Sequence, residues 1–358
     1  MNDTLIPGAD RTVLVLGASG GIGGELARQL RDAGWTVRAL KRGLPDATES
    51  RDGLLWLRGD AMQAADVARA AQGCSVIVHA VNPPGYRRWS ELVLPMLDNT
   101  LAAARAQRAT VVLPGTVYNY GPDAGPAPQE DAPQHPLTRK GAIRVEMERR
   151  LQAAAETGEL RVLILRCGDF FGPGAANSWF SQGLVRPGQP VRRLQQPGRD
   201  GVGHAWAYLP DVAQTLVRLL ARRAALPPFA RLHFDGHWDG DGRQMVQAIT
   251  RAVQQAGQPA PRVGAFPWWA VALGRPVVPL FRELYEMRYL WRQPLRLAGR
   301  RLAAALAEDG GVPHTPLDQA VASTLTSLGC LGREGPAAST AAAPTAAAAA
   351  DPRRRGAG

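Results

Sequence analysis

Lysine is nearly absent from this chain: Lys41 and Lys140 are the only two in 358 residues. The formal net charge of +11 therefore rests almost wholly on arginine. These arginines are spread along the sequence, apart from Arg353 to Arg355, with no aromatic or groove-reading motif beside them. Nucleic-acid binders gather basic charge on one face. Nucleic acid is thus not expected as a partner, and anionic small molecules are. Cysteine is scarce too. Cys74, Cys167 and Cys330 lie far apart and form no CxxC pair, which excludes a disulfide scaffold or zinc module and suits a reducing compartment. The six histidines are not read as a metal-ligand set, and no metal is expected. Long apolar runs are missing. The most apolar stretch, 266–281, is interrupted by Arg275 and three prolines, and it is shorter than the roughly 20 residues a membrane-spanning helix needs. The first ten residues lack a basic-then-apolar run, so no signal peptide and a cytoplasmic location are expected.

What is present is an ordinary globular composition, 45% hydrophobic and 20% charged, in a chain about twice the common domain size. The first half alternates short Val- and Ile-rich runs with amphipathic stretches. Strands are expected at 12–16, 36–40, 54–57, 75–80, 110–114 and 161–166. Helices are expected at 22–33, 62–71, 90–106 and 141–155. Apolar runs without alternation are what strands buried on both faces look like. The fold class is α/β, a doubly wound parallel sheet. Beyond Phe171 the rhythm degrades. Asp211 reads as the N-cap of a helix at 212–222, with a strand at 232–234 and helices at 244–256, 268–291, 300–307 and 317–327 following. Residues 1–171 are expected to form the main sheet domain. Residues 172–332 would form mainly a smaller C-terminal α/β substrate lobe, with some return to the sheet, and 333–358 a disordered Ala/Pro/Arg tail.

The strand at 13–16 runs into Gly17-Ala18-Ser19-Gly20-Gly21-Ile22-Gly23-Gly24 and then a helix. Glycines at 17, 20 and 23 let the backbone turn tightly and approach a pyrophosphate, whose charge meets the free N–H groups of the helix N-terminus. With a strand before and a helix after, this is the dinucleotide loop of a Rossmann-type sheet. NAD-preferring sites place Asp or Glu at the end of the second strand. Here that strand ends Arg38-Ala39-Leu40-Lys41-Arg42. A guanidinium suits the 2′-phosphate of NADP, so NADP(H) is favoured over NAD(H). Arg42 is the first choice for that contact, and Lys41 and Arg38 are alternates. Asp60, closing the third strand, is placed near the adenine amino group.

These residues resemble the extended short-chain dehydrogenase/reductase superfamily in its NAD-dependent epimerase/dehydratase branch, over roughly Val13 to Leu328. The resemblance rests on GASGGIG, on VIVHAV at 76–81, and on Gly115-Thr116-Val117-Tyr118-Asn119-Tyr120-Gly121-Pro122. It rests also on the acidic loop at 130–136, on Arg166-Cys167-Gly168-Asp169-Phe170-Phe171-Gly172-Pro173, and on Leu209-Pro210-Asp211-Val212-Ala213. It implies that Ala80, Val81, Asn82, Cys167 and Phe170 border the cofactor, and that a homodimer forms through the helices beginning near Ser90 and Gly141. An apolar helix at 268–291 in the small lobe is implied as well, in preference to a membrane-surface segment. Tyr86 in the loop after the fourth strand, and Asn177 and Trp179 after the Gly-Pro bend, stand where relatives contact substrate. His204 and Trp206 either line the cleft or fill the lobe interface, and the second is preferred.

The chain departs from the family at its catalytic signature. Where the family has Tyr-x-x-x-Lys, this sequence has Lys140 and Arg144; the nearby serine position is Thr116, which keeps a hydroxyl. Three readings stay open. Lys140, with Arg144 beside it, is itself the acid or base; or Tyr118 or Tyr120 substitutes; or the chain binds a dinucleotide without chemistry, as a sensor or regulator of a partner protein. Against all three stands the plain alternative that Lys140, Arg144 and Glu148 form an exposed i, i+4 charge ladder. The resemblance implies an oxidoreductase, epimerase or dehydratase acting on a small carbonyl or hydroxyl compound, for example a nucleotide sugar, by reversible hydride transfer.

Overall fold

The computed structural model describes residues 11–83, 88–176 and 178–331. Strand β1 (Thr12–Leu16) is buried along its whole length, and its alternate side chains feed two separate cores. Val13 and Val15 pack with Leu26, Leu30 and Leu216, while Leu14 and Leu16 pack with Ile77, Leu97 and Leu151. A strand covered on both faces has no polar side, hence its unbroken apolar sequence. Truncating Leu14, which is fully buried, to alanine would cost about 2–5 kcal/mol.

The chain continues through α1 (Gly21–Asp32), β2 (Thr36–Lys41), β3 (Thr48–Arg51), β4 (Leu54–Arg58), α2 (Ala64–Ala71) and β5 (Val76–His79). Then come α3 (Trp89–Gln107), β6 (Thr110–Thr116), α4 (Arg139–Glu156), β7 (Arg161–Cys167), β8 (Asp169–Phe171) and β9 (Arg193–Gln196). The second half holds β10 (His204–Tyr208), α5 (Leu209–Ala221), β11 (Phe229–His233), β12 (His237–Asp239), α6 (Gln244–Gln255) and β13 (Arg262–Ala265). Helices α7 (Trp268–Gly274), α8 (Pro279–Glu286), α9 (Arg300–Ala305) and α10 (Leu317–Ser327) follow.

Among the described residues, eight strands form one sheet in the order β11-β7-β6-β5-β1-β2-β4-β3. Its neighbours are parallel except β3, which runs antiparallel to β4 at the edge. Helices α1 and α5 cover one face, and α2, α3 and α4 cover the other. The strand order reverses between β1 and β5, and ligands of such sheets bind in the crevice outside the strand ends at that point. A smaller sheet, β12-β10-β8, and the pair β13-β9 pack with α6 and α10 around Phe171, Phe180, Trp206, Ile249 and Val321. Among the described residues, no helix is long and apolar enough to cross a membrane.

The structure corrects four sequence expectations. The single helix at 268–291 is instead α7, α8 and a 3-10 turn at Met287–Trp291. Pro276 and Pro279 lack the N–H a continuous helix needs there, and Pro279 opens α8. Asp211 is not an N-cap: α5 begins at Leu209, with Pro210 in its first turn, and the Asp211 carboxylate accepts from the Thr315 N–H and hydroxyl, both at 2.7 Å. The short strand at 232–234 is β11, which starts at Phe229 and extends the large sheet beside β7. Strand β3 was not expected, because Thr-Glu-Ser-Arg carries no apolar face for an edge strand to bury.

Candidate active site

The glycine loop fills the switch point between β1 and β5. Gly17 sits at φ +92°, and a Cβ there would meet the Ala80 carbonyl oxygen at 2.5 Å. A Cβ at Gly23 would meet the Gly17 carbonyl oxygen at 2.3 Å and the Ala80 Cβ at 3.2 Å. The turn itself is closed by the Gly20 N–H donating to the Gly17 carbonyl at 2.9 Å. Gly20 caps α1 without a side-chain hydrogen bond, and the first turn of α1, which includes Gly21, Ile22 and Gly23, carries no acid. Free N–H groups and the positive end of the helix dipole thus face the crevice, which fits a dinucleotide pyrophosphate. Ser19 precedes the cap in the same turn. Ala80 continues the β5 ladder, its N–H donating to the Leu16 carbonyl at 3.0 Å.

At the end of β2 the three basic candidates separate. Arg38 donates to the carbonyls of Gln72 (2.6 Å) and Ala70 (3.3 Å), and the Lys41 ammonium lies 5.6 Å from the Trp56 ring centroid. Arg42, 70% exposed, reaches an Asp60 carboxylate oxygen at 3.9 Å among the described residues. The other Asp60 oxygen accepts from the Met62 N–H at 3.0 Å. Arg42 and Asp60 therefore stand together at the sheet end, with Arg42 the least committed of the three cations.

Lys140, Arg144 and Glu148 are all buried, at 6%, 6% and 2% exposure, so the exposed charge ladder does not exist. Thr138 caps α4 by accepting from the Gly141 N–H at 3.0 Å. A Cβ at Gly141 would meet the Tyr118 carbonyl oxygen at 2.3 Å, so the start of α4 abuts the turn after β6. From there Lys140 and Arg144 project one helical turn apart. The Lys140 ammonium lies 5.7 Å from the Trp89 ring centroid and the Arg144 guanidinium 5.2 Å. Arg144 also donates to the Asn82 side-chain oxygen at 3.1 Å. Lys140 Nζ pairs with a carboxylate oxygen of Glu283, on α8, at 2.9 Å. Burial lowers the Lys140 pKa, and Glu283, with Glu286 behind it, opposes that shift. Val81 is half-buried against the core beneath α3.

Below this cluster runs a buried polar chain that orients Thr116. The Thr116 hydroxyl accepts from the Tyr118 N–H at 3.3 Å and donates to the Asn119 side-chain oxygen at 3.4 Å. The Asn119 amide donates to Glu148 at 3.0 Å, and Arg166, fully buried, holds Glu148 with two hydrogen bonds. Tyr120 points into the same network. Its hydroxyl meets Arg166, the Gln129 carbonyl (3.1 Å) and His233 (2.9 Å). Burial pushes the Tyr120 phenol up to about 12. Thr116 and Tyr118 keep partial exposure and Tyr120 keeps none.

The remaining expected residues scatter. Tyr86 and Asn177 lie outside the described residues. Trp179 sits in an aromatic cluster with Trp291 (5.2 Å), Phe266 (5.7 Å) and Trp268 (5.9 Å) inside the small lobe. Cys167 buries its thiol against the Leu165 carbonyl, so it can offer only backbone to a ligand, while Phe170 is partly buried beside the core. His204 stacks on Trp291 at 3.6 Å and pairs with Asp169 at 2.8 Å, in the lobe core with Trp206. Glu283 and Asn119 escaped sequence reasoning. Nothing local marks a carboxylate so distant in the chain as the partner of Lys140.

Comparison with known proteins agrees with this architecture. The NAD dependent epimerase/dehydratase family profile matches residues 13–229. No curated protein sequence matches the chain. Among solved structures, UDP-glucose 4-epimerase from Brucella ovis in complex with NAD is similar, at 17% identity and a TM-score of 0.67, covering 89% of this chain and 98% of its own. The UDP-glucose 4-epimerase of Thermus thermophilus in complex with NAD is 19% identical with a TM-score of 0.63, covering 88% and 98%. MoeE5 in complex with UDP-glucose and NAD is 22% identical with a TM-score of 0.64, again covering 88% and 98%. At these identities the likeness is one of fold. The chain belongs to the NAD-dependent epimerase/dehydratase family.

Proposed function

We propose that this member of the NAD-dependent epimerase/dehydratase family binds NADP(H) and works as an oxidoreductase or epimerase on a small carbonyl or hydroxyl compound. Nucleotide sugars are the first class to test, because UDP-sugar epimerases share its fold. The observation that carries the reading is the burial of Lys140 at the family's tyrosine position, beside the Thr116 turn rather than on an outer helix face. Residues 17–23 would hold the pyrophosphate, Arg42 the 2′-phosphate and Asp60 the adenine edge. A bound nicotinamide would supply the hydride acceptor or donor.

The protein's own part is to hold an oxygen and move a proton. The Thr116 hydroxyl, fixed by Asn119 and Glu148, would hold the substrate oxygen. Lys140 would exchange the proton, since burial already lowers its pKa toward the working range of an acid or base. Arg144 stays charged at any working pH and orients Asn82. Tyr120, raised to about 12 and enclosed by Arg166 and His233, is a structural hydroxyl.

A second reading has one observation in its favour. The Lys140 ammonium is already paired with Glu283, an arrangement that also suits a dinucleotide-binding protein without turnover. Titration with NADPH and NADH, followed by a substrate screen on nicotinamide absorbance, separates the readings. The catalytic reading expects NADPH to bind more tightly, Arg42→Asp to reverse that preference, and Lys140→Met to keep binding while turnover falls about 10²–10⁴-fold. Tight NADPH binding with no turnover on any sugar nucleotide or carbonyl compound would favour the second. Absence of binding to either dinucleotide would overturn both.

A further inference from the structure

Asp211, His237 and His314 are far apart in sequence, and the fold gathers them. One ligand atom from each lies within 4.8 Å of the others. Asp211 is in the first turn of α5, His237 opens β12, and His314 is on the exposed segment before α10. His237 is more than nine-tenths buried, yet its Nε2 has no hydrogen-bond partner among the described residues. A buried imidazole nitrogen is ordinarily satisfied, and this one belongs to a side chain whose ring lies 4.5 Å from that of His314, centroid to centroid, and which groups with a carboxylate.

We propose that Asp211, His237 and His314 bind a divalent transition-metal ion of the zinc class. Two imidazoles and one carboxylate are the donors that Zn²⁺ takes, whereas Mg²⁺ and Ca²⁺ demand oxygen shells. Three protein ligands leave a fourth position, which the exposed side at His314 gives to water. Tetrahedral bonds of roughly 2.0–2.1 Å bring ligand atoms to about 3.4 Å from one another. The observed separation asks for a modest closure, and the exposed His314 is the ligand placed to make it.

The surroundings are built for such an ion. Both Asp211 oxygens already accept hydrogen bonds from Thr315, which neighbours His314, so the carboxylate is oriented by the segment that supplies the third ligand. Outer partners of this kind fix metal-bound carboxylates in orientation. The ion would tie the segment before α10 to the start of α5 and to the small sheet. That end of α5 packs on the dinucleotide loop: a Cβ at Gly21 would meet a Leu209 methyl at 3.2 Å. The role is structural, a clamp between the small lobe and the sheet.

The test is calorimetric titration of zinc into the full chain stripped by chelation, with Co²⁺ absorption as the geometric readout. Expected are one equivalent of zinc, ligand-field bands of four-coordinate Co²⁺ without a thiolate charge-transfer band, and a rise in Tm with zinc. His314→Ala, at an exposed position, should fold as the parent does and lose more than the roughly 10–100-fold that removing an outer-sphere partner costs. His135→Ala, at an exposed histidine paired with Asp123, should leave zinc affinity unchanged. Failure to saturate at one equivalent, a thiolate band, or an unchanged affinity in His314→Ala would each overturn the proposal.

Discussion

Replacing Glu283 by glutamine keeps the shape of the side chain and removes the charge facing Lys140 Nζ at 2.9 Å. Breaking a fully buried ion pair from one side costs about 3–5 kcal/mol, because the other charge is left without compensation. Glu283 retains 19% exposure and Glu286 acts on the same ammonium, so about 2–3 kcal/mol is expected near neutral pH. The deficit should depend on pH in a defined direction. Burial lowers the folded-state pKa of Lys140 and Glu283 opposes it, so the variant's folded value falls further while the unfolded value stays at about 10.4. Between those two values the unfolded chain binds more protons, and stability rises with pH. The gap between parent and variant is therefore widest at low pH, narrows as pH rises through the folded values, and closes by about pH 10. Urea unfolding followed by tryptophan fluorescence from about pH 6 to pH 10 measures it. A deficit that ignores pH, or none at all, would refute the docking of α8 on Lys140.

Three further outcomes are expected. Gly23→Ala, whose Cβ would sit 2.3 Å from the Gly17 carbonyl oxygen, should weaken dinucleotide binding at least tenfold, about 1.4 kcal/mol; Gly264→Ala, with open space around it, should not, and fluorescence titration of the reduced dinucleotide compares them. Glu148→Ala leaves the fully buried Arg166 charge alone and should cost about 3–5 kcal/mol in urea unfolding, with Glu148→Gln milder; equal midpoints for all three proteins would dismiss the network as a support. Burial holds His79 and His233 neutral, each down to about 3, so the unfolded chain takes up protons first as pH falls below about 6.5. Stability should be full above that pH and fall by up to about 1.4 kcal/mol per pH unit per histidine beneath it, a slope that His79→Gln should flatten by its own share.

The sheet was legible because its determinants are local. Unbroken apolar runs at β1, β5, β6 and β7 mark strands covered on both faces, and the glycine spacing marks the switch-point turn. Misreadings arose where tertiary contacts override a local signal. The Asp211 side chain answers to Thr315 instead of its own helix, and the apolar stretch after Trp268 is divided by Pro276 and Pro279 into two short helices. The site was legible in part. Thr116, Lys140 and Arg144 follow from position in the family's motif, but neither the burial of Lys140 nor its partner can be read from spacing. Glu283 lies far along the chain on α8, and only folding brings it to Lys140.

Exchanging a tyrosine and a lysine for a lysine and an arginine changes what the surroundings must supply. A neutral phenol beside one ammonium needs no counter-ion for itself, whereas two cations a turn apart in a buried site repel and lose hydration. The fold treats the two differently. Arg144, which cannot release its proton, is placed over the Trp89 ring and against the Asn82 amide, neutral groups that suit a permanent, weakly hydrated cation. Lys140, which can release its proton and feels Glu286 as well, pairs with the Glu283 carboxylate. That carboxylate comes from α8, so the protonation of Lys140 is tied to how α8 sits against α4. A site meant only to fill space would bury neither cation. Glu283 favours the protonated form of Lys140 while burial disfavours it, so moving α8 away from Lys140 should make its proton easier to release.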